Sequence, residues 1–141
     1  MRNNPQRPPG KILYWSVTIL FSLLMLMDGI AGVLRAEEGQ EVMRHLGYPI
    51  YAMSIFGSAK IIGAFALLQN KFPVLKEWAY AGFAINFIGA SASRAFAGDS
   101  IGLVLMPLVM LLVLFLVYLL WKRYTATKPT HNMGSAVLTA P

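Results

Sequence analysis

The sequence predicts an all-α fold, an antiparallel bundle of four transmembrane helices with both termini in the cytoplasm. Three observations lead to this prediction. First, only 13% of the 141 residues are charged and 57% are hydrophobic, whereas a soluble domain carries about 25% charged residues. Second, four apolar segments each reach about 20 residues, the length at which a helix crosses the hydrocarbon core of a bilayer. Third, lysine and arginine are distributed unequally between the two sides of such a bundle.

The four helices are predicted over residues 12–34, 48–68, 78–97 and 101–121. The strands of an outer-membrane barrel would alternate polar and apolar residues over about ten positions. These segments do not alternate, and the last one contains no charged residue. The chain therefore forms one four-helix membrane domain over residues 12–121.

The connections between the helices are short. Residues 36–46 are a polar connection with only a weak amphipathic pattern for a short outer helix, and residues 98–100 are expected to form a tight hairpin. Residues 1–11 and 122–141 are predicted to be cytoplasmic tails, and their proline, asparagine and threonine content predicts disorder.

The orientation follows from the basic residues. Eight lie on the side of the two termini, three lie on the opposite side, and Lys60 lies within a helix. Because positive residues stay in the cytoplasm, both termini are expected there. Trp15, Trp78 and Trp121 all fall at the same inner boundary, where indole rings prefer to lie. Since these basic residues flank helices and form no continuous patch, a nucleic-acid partner is not expected.

Several kinds of chemistry are excluded by the composition. The chain has no cysteine, which rules out disulfides, iron–sulfur clusters and thiol catalysis. Both histidines, His45 and His131, lie outside the predicted helices, so no metal site or haem ligation within the membrane is expected. No nucleotide-binding, hydrolase or metalloprotease motif is present. We therefore assign no catalytic residue, and an enzyme acting by itself is the least favoured class.

Three charged residues, Asp28, Lys60 and Arg94, lie inside the predicted helices, where each charge is a functional hypothesis by default. Asp28 precedes Arg35 by seven residues, or about 10 Å along a helix. Lys60 follows Tyr48 by twelve residues, or about 18 Å. A lysine stem can span much of this difference in depth. Asp28 and Lys60 are interpreted either as an ion pair that fixes helix register or as part of a ligand- or proton-binding site.

Further polar residues could join this site. Asn86 lies near the middle of the third predicted helix, with Ser93 and Arg94 close to its outer end. All three are candidate ligand-binding residues together with Asp28 and Lys60. Asn86 could instead bond between helices, and Arg94 could anchor its helix at the boundary or pair with Asp28. Glu77 opens the third helix, where a carboxylate either stabilises the helix start or has a functional role.

The segment from residue 47 to residue 99 resembles the DoxX-like family of small four-helix membrane proteins. The resemblance is carried by GYP before the second helix, by GSAKIIG around Lys60 and by KEWAYAGF at the start of the third helix. Members often carry a histidine near the end of the third helix, where this chain has Arg94. The resemblance implies a multi-pass protein of the bacterial cytoplasmic membrane. The wider group is associated with quinone-linked oxidation of sulfur compounds, so any redox role would be that of an accessory subunit.

The leading function is therefore a non-catalytic or accessory subunit with a polar pocket inside the membrane. The pocket would bind a lipophilic, quinone-like molecule or a partner membrane protein. Lys60 would donate to the ligand, Asp28 would be its counter-ion, and Asn86 would orient the ligand. Two alternatives stay open, a small oligomeric proton-coupled transporter and a purely structural or assembly subunit.

Overall fold

The computed structural model describes residues 9–126, and these residues form five α-helices. Four of the helices are long, and the second is a short helix of nine residues. In chain order, the helices are α1 (Pro9–Val33), α2 (Glu37–His45), α3 (Tyr51–Leu68), α4 (Pro73–Phe96) and α5 (Ile101–Ala126).

Three of the long helices extend beyond their predicted bounds. Residues 9–11 and 122–126, which were assigned to the tails, are helical and belong to α1 and α5. α4 begins at Pro73, five residues before the predicted start. Proline suits the first turn of a helix because the backbone N–H groups there have no partner within the helix, so no hydrogen bond is lost. The remaining tail residues, 1–8 and 127–141, lie outside the described residues, so their predicted disorder stays a prediction.

The polar connection after α1 forms a regular helix, α2. Glu37 and Glu38 lie in its first turn, and Arg44 and His45 lie in its last turn. This charge order stabilises a helix because it opposes the helix dipole. The Arg44 guanidinium also donates to the Gln40 side chain one turn earlier, at 3.1 Å. None of its nine residues is buried, so α2 is a surface helix, and the weak amphipathic pattern was its only signal.

The predicted tight hairpin between the last two helices is present. Gly98 has φ of +77°, a left-handed conformation that glycine adopts without steric cost. The Asp99 amide donates to the Arg94 carbonyl oxygen at 3.0 Å and so closes the end of α4. As a result, α5 begins only five residues after α4 ends.

Each long helix packs against two others. α1 and α4 both contact α3 and α5. The largest buried side chains come from all four helices. Phe21 of α1 meets Phe83 of α4 edge to face, with ring centroids 5.7 Å apart. Tyr80 of α4 stacks on Trp121 of α5 at 5.6 Å. The core is therefore shared between the helices and rich in aromatic rings.

Three of the described helices are long and apolar enough to cross a membrane. These spans are Gly10–Val33, Tyr51–Leu68 and Ile101–Ala126. The fourth expected span, now α4, is not among them, since it carries Lys76, Glu77 and Arg94 and several uncharged polar residues. The prediction of apolar membrane-spanning helices is thus confirmed for three of the four.

The crossing of α1 and α3 is close because glycines meet there. A Cβ atom added to Gly57 would lie 2.5 Å from the carbonyl oxygen of Gly29, and one added to Gly32 would lie 3.0 Å from that of Met53. Any larger side chain at Gly57 would push the two backbones apart. Glycines allow such close packing between membrane helices, and the contact sets which neighbouring side chains can meet.

Candidate ligand-binding groove

The glycine contact brings Asp28 and Lys60 together. Asp28 precedes Gly29, and Lys60 follows Gly57 by one helical turn. The Lys60 ammonium donates to Oδ2 of Asp28 and forms an ion pair with it. The structure therefore forms the pair that the sequence had left as one of several alternatives.

The two partners differ in exposure. The Lys60 side chain is 22% exposed, whereas the Asp28 side chain is 55% exposed. The carboxylate lies at the surface of α1, and the ammonium lies deeper between the helices.

Lys60 also lines a groove of about 380 Å³ between α3 and α4, within the usual size range of small-molecule sites. Its polar side chains are those of Lys60 and Asn86, in a wall that is otherwise apolar. Gly63 contributes no side chain, and the Phe83 ring packs directly against it. The full lining comprises Phe56, Ala59, Lys60, Ile62, Gly63, Ala66, Leu75, Trp78, Ala79, Gly82, Phe83 and Asn86.

The structure separates two of the predicted site residues from this groove. The Arg94 guanidinium donates to Oδ2 of Asp99 at 3.0 Å, and the hydroxyls of Ser93 and Tyr48 are hydrogen-bonded at 2.8 Å. Neither Ser93 nor Arg94 lines the groove. The two residues instead hold α4 against neighbouring loops, and Arg94 has Asp99 as its acid partner where Asp28 had been considered.

Asp99 is the centre of a cluster of polar side chains that also includes His45 and Arg94. His45 Nε2, at the end of α2, lies 2.5 Å from Oδ1 of Asp99, and Arg94 occupies the other carboxylate oxygen. The hydrogen bond with His45 and that with Arg94 hold the pKa of Asp99 below its usual value. The carboxylate is therefore charged at neutral pH. Its contribution to stability is lost as the pH falls through the lowered folded-state pKa.

Glu77 occupies a different place from the expected helix start. It is the fifth residue of α4, outside the first turn, and the Lys122 ammonium of α5 donates to its carboxylate. Glu77 also borders a second groove of about 350 Å³ between α4 and α5, whose walls include Tyr80, Phe115 and Tyr118. Glu77 therefore forms an ion pair between α4 and α5, and it does not lie at the start of α4 where the sequence analysis placed it.

The sequence analysis missed the environment of Lys76. This residue was counted only as a cytoplasmic marker, yet it is 1% exposed. Its ammonium donates to the hydroxyl of Tyr14 at 2.5 Å and to Oδ1 of Asn70 at 3.0 Å. It also lies 5.6 Å from the ring centroids of Trp15 and Trp121. The signal available in the sequence was the shared boundary of the tryptophans, which places aromatic rings around this lysine.

Comparison with known families gives one match. The family model described as the DoxX-like family matches residues 16–117, which includes Asp28, both sides of the groove and most of the core. No curated protein and no solved structure matches the chain.

Proposed function

This chain belongs to the DoxX-like family, and we propose that it is a non-catalytic or accessory membrane protein that binds a lipophilic small molecule between α3 and α4. The observation that carries the proposal is the groove itself. It holds two polar side chains, Lys60 and Asn86, in an apolar and aromatic wall. Ligand sites usually combine a mostly apolar wall with a few polar groups that fix the orientation of the ligand.

The charge balance of the groove favours a neutral ligand over an anion. Lys60 already has Asp28 as its counter-ion, so an added carboxylate would compete with Asp28 for the same ammonium. An ammonium has three N–H donors, and a second one can donate to a neutral carbonyl while the ion pair stays intact. Phe56, Trp78 and Phe83 provide flat surfaces beside it. A quinone combines a flat ring, carbonyl oxygens and low polarity, and we place it first among the candidate ligands.

The experiment is equilibrium dialysis of the detergent-purified chain against a short-chain benzoquinone. Lys60→Met and Asn86→Leu should each weaken binding about tenfold, the equivalent of about 1.4 kcal/mol. Leu112→Ala on the exposed face of α5 is the matched control and should bind as the unmodified chain does. Dodecanoate should bind more weakly than the quinone. Equal binding by Lys60→Met and the unmodified chain contradicts the proposed site.

We further propose that all four long helices cross the bacterial cytoplasmic membrane as an antiparallel bundle with both termini inside. Two contacts support an antiparallel arrangement of α4 and α5. Glu77 near the start of α4 accepts from Lys122 near the end of α5, and Ser91 near the end of α4 donates to the carbonyl oxygen of Val104 near the start of α5. Although α4 is less apolar than the others, its outward side includes exposed Ile85. Its charged residues Lys76, Glu77 and Arg94 all lie near its ends.

The orientation can be tested with single cysteines, since the chain has none of its own. A cysteine at Gln40 in α2 should react with an impermeant thiol reagent added outside the cell. A cysteine at Asn70, between α3 and α4, should react only after the membrane is opened. The reverse pattern of labelling would show that the termini lie outside.

The half-exposed Asp28 carboxylate also supports a second candidate function, a proton-coupled transporter with Asp28 and Lys60 as the relay. Reconstituted vesicles containing a pH-sensitive dye would show proton flux that Asp28→Asn abolishes. If the chain shows neither proton flux nor quinone binding, the structural or assembly role remains, in which the chain binds a partner membrane protein.

A further inference from the structure

The Asp28 carboxylate is half exposed on a part of α1 where a charged group is normally covered by protein or water. It lies five residues, or about 8 Å along the axis, from the end of α1 at Val33. It is 55% exposed within one of the helices apolar enough to cross a membrane. Ionised side chains in such segments almost always face protein or a water-filled cavity, because hydrocarbon solvates them poorly. Lys60 covers only one side of Asp28.

The face of α1 beside Asp28 is apolar and exposed. Leu20, Leu24 and Met27 all have exposed side chains and, together with Ala31, follow the spacing of four, three and four residues. This spacing places them on one side of the helix, as in helices that pair along a seam. Asp28 follows Met27 directly and therefore lies at the margin of this stripe.

We infer that this face of α1 is the contact with a second copy of the same chain, in which two Asp28–Lys60 pairs meet across a twofold axis. A twofold contact uses the same surface on both copies, so the surface must be complementary to itself. The ion pair meets this condition because it carries one donor with further N–H groups and one carboxylate with further lone pairs. Two such pairs form a ring of alternating charges, in which each Asp28 accepts from both lysines.

The dimer does not rest on the proposed ligand. Lys60 meets the groove on its α4 side, whereas Asp28 holds it from α1 and does not line the groove. A second copy against α1 would therefore cover the carboxylate and leave the groove between α3 and α4 open. Quinone binding and dimer formation can fail separately, since different experiments measure them.

Cysteine cross-linking in native membranes tests the interface. Met27→Cys in the cysteine-free chain should form a disulfide-linked dimer under mild oxidation. Leu112→Cys, on an exposed position of α5, is the matched control and should stay monomeric. Absence of a dimer from Met27→Cys and also from Leu24→Cys overturns the inference. Equal cross-linking at position 112 overturns it too, as does an adduct with a protein of another mass.

A bulky substitution on α1 tests the interface without changing the charged pair, and a substitution of Asp28 tests the pair itself. Leu24→Trp adds bulk to an exposed position of α1 and should reduce the Met27→Cys cross-link at least fivefold, whereas Leu112→Trp should leave it unchanged. Asp28→Asn should reduce the same cross-link, because the ring of charges loses its acceptors. An undiminished cross-link in both Leu24→Trp and Asp28→Asn would show that this face is not the contact.

Discussion

Two lysines on the long helices, Lys60 and Lys76, illustrate two ways in which this chain accommodates a cation. Lys76 is 1% exposed and is enclosed by aromatic rings and oxygen acceptors. Lys60 is 22% exposed, pairs with an acid that is itself half exposed, and opens onto a groove. The enclosed lysine stabilises the packing at the end of the structure where α1 begins and α5 ends. The open lysine has donors available to a ligand, because its surroundings do not complete its hydrogen bonding.

The largest expected effect is at the aromatic wall around Lys76. Trp121→Ala should destabilise the chain by about 3–5 kcal/mol, since a buried indole is replaced by a cavity. Trp78→Ala is the matched control, because Trp78 is 70% exposed and Trp121 only 5%. Unfolding in mixed detergent and dodecyl sulfate, followed by circular dichroism, measures both. Equal losses would show that the buried indole contributes no more to stability than the exposed one.

The hydrogen bond from Lys76 to Tyr14 should contribute the next largest amount. Tyr14→Phe keeps the ring but removes the buried hydroxyl that accepts from the ammonium. Loss of a hydrogen bond to a charged group costs about 1.5–3 kcal/mol. The same unfolding measurement should show no comparable loss for Tyr51→Phe, whose side chain is exposed. A neutral Tyr14→Phe would mean that other contacts suffice to stabilise Lys76.

The glycine crossing should respond to a single methyl group. Gly57→Ala places a Cβ atom 2.5 Å from the Gly29 carbonyl oxygen, and the forced separation of α1 and α3 should cost about 1–3 kcal/mol. Gly82 has no atom within 4 Å of an added Cβ. Gly82→Ala should therefore stabilise α4 by about 0.5–1 kcal/mol. Thermal aggregation in detergent ranks the two variants, and the same sign for both would contradict the close crossing.

The open pair can be examined by a double-mutant cycle. Lys60→Met and Asp28→Asn should each destabilise the chain, and the double variant should recover part of the loss. The coupling free energy is expected at about 0.5–3 kcal/mol, below the effects at Trp121 because Asp28 is half exposed. Equilibrium unfolding of all four forms gives this value. Strictly additive losses would show that the two side chains do not interact.

The smallest effects are expected on the outward face of α5. Leu112 and Leu116 are both exposed, so detergent or lipid replaces the contacts that a shorter side chain loses. Leu112→Ala and Leu116→Ala should each change the free energy of unfolding by less than about 0.5 kcal/mol. A loss of 2 kcal/mol or more, on the scale of a core truncation, would indicate that this face is covered by another protein.

Sequence patterns were most informative where a single helix decides the outcome. Length and hydropathy predicted the cores of α1, α3 and α5, and the short glycine turn before α5 was predicted from Gly98. The pairing of Asp28 with Lys60 was predicted less directly, by counting residues from the boundaries. The partner of Arg94 was not predicted, because its acid, Asp99, lies in a loop whose path depends on how α4 ends. Glu77 was misplaced for a similar reason, since α4 begins five residues earlier than its apolar run.

The sequence by itself determined that this chain is helical and apolar, and it determined which polar residues lie within those helices. Composition and segment length suffice for these properties, because a helix satisfies its own backbone hydrogen bonds and needs no partner to do so. The tertiary structure alone decided that Lys76 is enclosed and that Lys60 shares a groove with Asn86. Those outcomes depend on which helix faces meet. The approach of Gly29 to Gly57 and the packing of Phe83 on Gly63 set that geometry through contacts between residues far apart in the chain.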